Sequence, residues 1–153
     1  MSESPPLVRV CALLNQHGAR YVVVGARAAI LHGLDRTTQD VDLLIPEDAE
    51  NHARVIAALS ELEDHAAAEL TPQDLIENVV VKVADEVEVD VSTRAWKVTY
   101  EEAAPRADRI VIAGVEIVYA DLVTLIASKE TYRDQDRIDV AQLRELLRRR
   151  NQR

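Results

Sequence analysis

The sequence lacks the features that mark secreted or membrane proteins. Its single cysteine, Cys11, excludes a disulfide framework within the chain. No stretch approaches the roughly 18 consecutive apolar residues of a membrane span. The N-terminal segment MSESPPLVRV has no basic region followed by an apolar run, so we expect no secretory signal. We therefore expect a cytoplasmic protein without a membrane anchor.

Several common catalytic motifs are also missing. The chain has neither a Gly-x-x-x-x-Gly-Lys-Ser/Thr phosphate loop nor the Gly-x-Ser-x-Gly elbow of the α/β-hydrolases. No pair of the histidines at 17, 32, 52 and 65 has the spacing of zinc ligands. Cys11 falls on an apolar helical stripe with Leu7, Val10 and Leu14, which favours a buried, inert thiol over a nucleophile.

Positive charge is in short supply, because the formal net charge is −9. Such a field does not attract nucleic acid. The arginines at 148, 149, 150 and 153 point weakly the other way, although such a run is usually the solvated end of a helix. An acidic excess fits either a soluble surface or carboxylates grouped around metal ions, and composition does not choose between the two.

The length of 153 residues indicates a single domain, 1–153, and a hydrophobic fraction of 48% is enough to fill its core. Periodicity predicts helices over 7–16, 26–32, 47–62, 121–132 and 134–150, a short helix opened by the capping box at 99–102, strands over 21–24 and 40–45, and hairpins around 84–85 and 113–114. This order predicts a mixed α/β (α+β) fold: a mixed β-sheet with helices packed on it and a C-terminal helix pair.

The segment RTTQDVDLLIP places Asp40 and Asp42 on one face of a strand that is otherwise apolar. Side chains alternate along a strand, so the two carboxylates lie side by side, roughly 7 Å apart at Cα. They repel each other unless a cation lies between them, and oxygen ligands of this kind suit magnesium or manganese. The spacing alone carries little weight, since Asp134 and Asp136 repeat it.

The context of the two aspartates is more informative. The apolar strand before them ends at Gly25, where a helix begins, and the strand with the acids follows. Glycine lets a ligand approach the backbone closely, and a helix N-terminus favours anions. Adjacent strands would thus join a phosphate-binding turn to a metal-binding pair, as a nucleoside triphosphate site requires.

These residues resemble the DNA-polymerase-beta-like nucleotidyltransferase superfamily. The segment VVVGARAAILHGLDRTTQDVDLLI has the apolar strand, the glycine and the Asp-apolar-Asp pair of that superfamily. The form with Gly33, Arg36, Thr37 or Thr38, and Asp40 is most similar to the AbiEii-toxin-type, minimal nucleotidyltransferase branch. Ala26 stands where the family usually has Gly or Ser.

The resemblance covers about 21–143, the expected core. In DLVTLIASKETYRDQDRIDVAQL the residues matching a C-terminal pattern of the branch are Lys129, Arg133, Asp136 and Asp139.

The resemblance implies two magnesium (or manganese) ions held by Asp40, Asp42 and a third carboxylate on a later strand. In EVEVDVS the best match is Asp90, with Glu88 as the substitute. The alternative is that Glu86, Glu88 and Asp90 only solvate the outer face of a hairpin.

The family also implies that backbone groups of Gly25, Ala26 and Arg27 cradle phosphate. Arg36, Thr38 and Lys129 would add further nucleotide contacts.

Two of these contacts have alternatives. Lys129 continues the apolar stripe of Leu122, Leu125 and Ile126, so a desolvated amine there needs a partner: a triphosphate, or Asp136 on the last helix. It could also reach solvent along its aliphatic stem. Arg36 is either a phosphate clamp or a solvated loop residue.

Arg133 and Asp136 are interpreted as a structural pair between the two helices rather than as catalytic groups.

The activity implied is the transfer of a nucleoside monophosphate from an NTP to an acceptor hydroxyl. The acceptor would be an RNA end, a small molecule or a partner protein, in a toxin–antitoxin setting where the chain is either toxin or antitoxin. Two alternatives remain: a non-catalytic nucleotide-binding or interaction module that keeps the fold, and an acidic α/β domain that binds no nucleotide.

Overall fold

The computed structural model describes residues 5–130 and 133–152. Its elements are α1 (Pro6–Gln16), β1 (Val22–Val24), α2 (Gly25–Leu31), β2 (Asp40–Leu44), α3 (Ala49–Leu59), α4 (Pro72–Glu77), β3 (Val80–Ala84), β4 (Glu88–Ser92), β5 (Arg94–Ala95), β6 (Val98–Thr99), α5 (Tyr100–Ala103), β7 (Asp108–Ile112), β8 (Val115–Tyr119), α6 (Leu122–Lys129) and α7 (Asp134–Asn151). Two short 3₁₀ turns cover Ala66–Glu69 and Ala104–Arg106. The predicted mixed α/β class is confirmed.

Six strands form one mixed sheet in the order β3-β4-β2-β1-β8-β7, and β5 and β6 form a separate two-stranded ribbon. Strand β2 lies antiparallel to β1 and parallel to β4, and β1 lies parallel to β8. The predicted hairpins are present as the antiparallel pairs β3–β4 and β7–β8. The strand that carries Asp40 and Asp42 is therefore central, between the strand that ends at Gly25 and the strand that carries Asp90.

The core side of this sheet follows the alternation in the sequence. Val41 and Leu43 of β2 and Val89 and Val91 of β4 are almost fully buried, at 0 to 2% exposure. Helix α1 packs against β8 and α3, and α6 packs against α2 and α7. Cys11 is buried in α1, as predicted, and burial raises the pKa of its thiol to about 12.

Some element boundaries differ from the prediction. Helix α3 begins at Ala49 rather than 47, because the Asp48 side chain accepts from the backbone N–H of Glu50 and Asn51 and so caps it. Helix α6 ends at Lys129, and the predicted last residue, Tyr132, lies outside the described residues. Helix α4 and the β5–β6 ribbon were not predicted from the sequence.

The basic end of α7 is partly neutralised within the helix. Arg148 and Arg149 both donate to Glu145, and Arg150 lies 3.5 Å from the His32 ring. Arg153 lies outside the described residues. This supports the interpretation of the arginine run as a helix end. Across 5–130 and 133–152, no helix is both long enough and apolar enough to cross a membrane.

Candidate functional site

Strands β2 and β4 bring four carboxylates to one face of the sheet. Their parallel register sets Asp42 opposite Asp90 and Asp40 opposite Glu88. Partners in register on parallel strands point to the same side, so the face that carries these acids is the reverse of the buried valine and leucine face. Each of these two pairs therefore places two carboxylates side by side on neighbouring strands.

The Asp42 carboxyl sits in an unfavourable electrostatic environment. Burial, the charge of Asp90, a hydrogen bond with that carboxyl and the charge of Asp40 together raise its pKa to about 6, against an opposing effect of Lys129. Like charges on adjacent strands cannot all ionise without cost. The pair Asp42–Asp90 therefore gains from any cation bound between its members.

Gly25 forms the other side of the Asp42 environment. Its φ of +69° lies in the left-handed region, and an added Cβ would come within 2.0 Å of Asp42 Oδ2. Glycine is thus required both by the backbone and by the carboxylate packed against it. Helix α2, which starts here, has seven residues, so its dipole adds little.

A cleft of about 430 Å³ opens above Gly25 and Asp42. Residues of the β-strands and of the β5–β6 ribbon line one wall, and residues of α6 and α7 line the other. The lining comprises Val24, Gly25, Asp42, Val80, Ser92, Arg94, Ala95, Trp96, Ser128, Lys129, Arg133 and Asp136. The volume falls in the range of roughly 300–1,000 Å³ that is usual for small-molecule sites.

Comparison with protein families assigns the chain to a class. Residues 4–153 match the family described as "Nucleotidyl transferase of unknown function (DUF2204)". The chain belongs to this family. No match was found among curated proteins. The DUF2204 match supports a nucleotidyltransferase in general and does not distinguish the AbiEii-toxin-type branch. The matched residues include β2 and β4, which carry the carboxylates, and α6 and α7, which contribute to the cleft.

Lys129 of the DUF2204 chain lines the cleft, yet its amine is already paired. It is 9% exposed, and Nζ donates to Asp139 Oδ2 at 2.9 Å. Arg36 Nη1 donates to the same oxygen at 2.5 Å, and Gln135 donates to the other at 2.9 Å. Of the alternatives for Lys129, an ion pair with α7 is present, but its partner is Asp139, one turn after Asp136 on the same face of the helix.

Asp136 accepts instead from Arg133 Nε at 2.7 Å. These two residues are three positions apart at the start of α7, so this contact lies within the start of one helix and not between two helices as predicted.

Other predicted nucleotide contacts lie away from the cleft. Arg36, in the loop before β2, donates a hydrogen bond to Asp139 of α7. Arg27 Nε donates to the Asp40 carbonyl at 3.3 Å, so its guanidinium secures the entry to β2. Thr38, in that loop, and Ala26, in the first turn of α2, are half-buried. Among the described residues, the cleft lining includes none of these four.

Four polar or aromatic residues of the cleft lining were not predicted from the sequence: Ser92, Arg94, Trp96 and Ser128. The ribbon sequence RAWKVT has no Gly or Asn at its turn, so the usual hairpin signal is absent. The signal in the sequence that could have indicated a role for this segment is its tryptophan, the only one in the chain.

The donor set of the DUF2204 chain fits a divalent cation at the Asp42–Asp90 pair. Asp90 Oδ1 is buried without a hydrogen-bond partner, and Lys82 Nζ lies 3.6 Å from it. Over 5–130 and 133–152, no group of three or more His, Cys, Asp or Glu side chains is arranged to hold a metal. Asp40 lies opposite Glu88 on the same face of the sheet, and its role as the third ligand stays a prediction.

Proposed function

We propose that this protein is a metal-dependent nucleotidyltransferase that moves a nucleoside monophosphate from an NTP to an acceptor hydroxyl. The observation that carries the proposal is that Asp42, which lies opposite Asp90 on β4 and packs against Gly25, lines a cleft that Lys129 also lines. Carboxylates for a cation, a backbone open to phosphate and a lysine for negative charge meet in one place.

Asp42 and Asp90 would hold Mg²⁺ or Mn²⁺, with Asp40 as the third carboxylate of the same face. When bound, the metal lowers the pKa of the acceptor hydroxyl and neutralises charge on the triphosphate. Gly25 admits phosphate close to the backbone, and Lys129 offers it positive charge. The acceptor oxygen forms a bond to the α-phosphorus, the bond to pyrophosphate breaks, and the hydroxyl proton leaves to solvent.

The acceptor proposed is an RNA end, a small molecule or a hydroxyl of a partner protein. The likeness of the Gly33 to Asp40 segment to the AbiEii-toxin-type branch supports a toxin–antitoxin setting. In that setting the chain would act as a toxin that transfers nucleotides or as an antitoxin that modifies its toxin.

The test is calorimetric titration of each of the four NTPs with Mg²⁺ into the wild type and the Asp40→Asn/Asp42→Asn variant. Binding that requires Mg²⁺ and disappears in the variant is the expected result. Asp64→Asn, an exposed aspartate outside the cleft, is the control and keeps wild-type affinity. Equal binding by wild type and double variant, or no binding at all, would contradict the proposal.

A non-catalytic nucleotide-binding module is the second candidate. Two observations favour it: three carboxylates are not grouped as metal ligands among the described residues, and Ala26 supplies no hydroxyl. A measurement of pyrophosphate release distinguishes these two functions. An enzyme releases pyrophosphate from a bound NTP when its acceptor is added, whereas a binding module does not.

A further inference from the structure

The β5–β6 ribbon presents the only tryptophan of the chain. Arg94 pairs with Thr99 and Ala95 with Val98, which leaves Trp96 and Lys97 as a two-residue loop. Trp96 has φ +57°, at a loop position where glycine is the usual residue. A bulky side chain in the left-handed region is an outlier, and such residues concentrate at ligand clamps.

The Trp96 indole lines the cleft and is 38% exposed. Strand β4 leads directly into the ribbon, so Trp96 lies only six positions after Asp90. On the neighbouring strand β3, Val80 pairs with Ser92 and adds an apolar side chain that is 54% exposed. Val80, Ala95 and Trp96 thus give this wall of the cleft an apolar and aromatic part, beside the polar side chains of Ser92 and Arg94.

The facing wall has different chemistry. It is lined by Ser128, Lys129, Arg133 and Asp136 from α6 and the start of α7. Cationic and hydroxyl groups suit a phosphate chain, whereas the flat face of an indole suits a nucleobase. Asp42 lines the same cleft, and its partner Asp90 lies opposite it on β4. The cleft therefore contains groups that suit both ends of a nucleotide, the Trp96 side chain for the base and Ser128 with Lys129 for phosphate.

We propose that Trp96 is the stacking platform for the nucleobase of the bound NTP, with the triphosphate directed to the carboxylates and Lys129. The inference rests on the proposed function, since it requires that the cleft binds an NTP. It adds the residue that recognises the base. Base–aromatic stacking accepts any base because every base has a π-face, so Trp96 provides affinity for nucleotides as a class.

The intrinsic fluorescence of the protein tests the inference directly, because Trp96 is its only tryptophan. ATP with Mg²⁺ should quench the emission, and tripolyphosphate with Mg²⁺, which has no base, should not. By calorimetry, Trp96→Leu should weaken ATP binding roughly 5- to 100-fold while leaving tripolyphosphate binding unchanged. Trp96→Phe should keep most of the ATP affinity, and Lys97→Ala, on the same loop, is the matched control.

Three outcomes would overturn the inference, and they differ in what else they overturn. If ATP binds and the Asp40→Asn/Asp42→Asn variant loses it, but emission is unchanged and Trp96→Leu binds ATP normally, only the Trp96 assignment falls. If wild type binds no NTP, the proposed function falls with it. Equal losses of ATP and tripolyphosphate affinity in Trp96→Leu would mean that the side chain shapes the cleft and does not contact the base.

Discussion

Gly25 and Asp42 are in contact at the floor of the cleft. Their positions follow from the pairing of β1 with β2, in which Val24 lies opposite Asp42. The first residue after β1 therefore adjoins the carboxylate, and only a residue without Cβ leaves room for it. This residue-scale packing sets where the Asp42 oxygens lie relative to Asp90.

Replacing Gly25 with alanine should be unusually costly. The left-handed backbone alone penalises alanine by roughly 1–2 kcal/mol. Gly18 has nearly the same φ, +65°, but nothing within 4 Å of its added Cβ, so Gly18→Ala isolates that backbone cost. Gly25→Ala should lose roughly 1–3 kcal/mol more, because the methyl group displaces the Asp42 carboxylate. Urea unfolding of the two variants measures the difference.

The same pair of variants bears on function. Gly25→Ala should also abolish Mg²⁺-dependent NTP binding, while Gly18→Ala, remote from the cleft, retains it. Equal unfolding free energies for the two variants would show that Asp42 moves aside without cost.

At the scale of elements, Asp139 joins three parts of the chain. It accepts from Lys129 at the end of α6 and from Arg36 in the loop before β2, and it belongs to α7 itself. Burial would raise the pKa of the Asp139 carboxyl, but hydrogen bonds from Lys129 and Gln135 and the two positive charges lower it below the ordinary 3.8. The ion pair thus fixes the helix wall of the cleft against the acid strands.

Asp139→Asn should destabilise the protein by about 3 kcal/mol at pH 7, since removal of one partner leaves Lys129 buried without a counter-charge. A depressed folded pKa contributes stability above the unfolded value of 3.8, and this is lost as the pH falls through the folded pKa. The cost of Asp139→Asn should therefore shrink below about pH 4. Urea unfolding at pH 7 and pH 3 measures it.

The control for that experiment is Asp134→Asn, which changes an exposed aspartate in the first turn of the same helix. Its cost at pH 7 should stay near the few tenths of a kcal/mol of a surface charge. A cost for Asp139→Asn that does not change between the two pH values would contradict the ion-pair account.

At the scale of the whole molecule, the sheet has two exposed edges and an acidic surface. Strand β7 lies at one edge, where Val111 is 65% exposed, and β3 lies at the other. The isoelectric point is about 4.9. Charge repulsion that keeps copies apart vanishes near that pH, and apolar sheet edges then favour association.

Solubility should accordingly be lowest near pH 5, as measured by light scattering between pH 4 and pH 8. Val111→Lys should raise it there, because a lysine on an edge strand opposes edge pairing. Val123→Lys makes the same charge change at an exposed valine of α6, away from any sheet edge, and should help less. If the two substitutions raised solubility equally, the association would depend on net charge alone and not on the edge of the sheet.

Much of the fold was predictable because alternation and helical periodicity are local. The strand faces of Asp40 and Asp42, both hairpins and the buried stripe that ends in Lys129 follow from the spacing of apolar residues in the sequence alone. Short elements with atypical turns were missed, as the loop at Trp96 shows, since no local signal favours a hairpin there.

Only the tertiary structure decided which distant residues meet. The parallel register of β2 with β4 set Asp90 opposite Asp42 and left Asp40 beside Glu88, and no local pattern encodes a register between strands separated by α3 and α4. Likewise, Lys129 pairs with Asp139 and not with Asp136, because the packing of α6 against α7 determines which turn of α7 faces the amine. The sequence by itself determined which functional side chains the strands and helices carry, and long-range packing determined which of those side chains lie together.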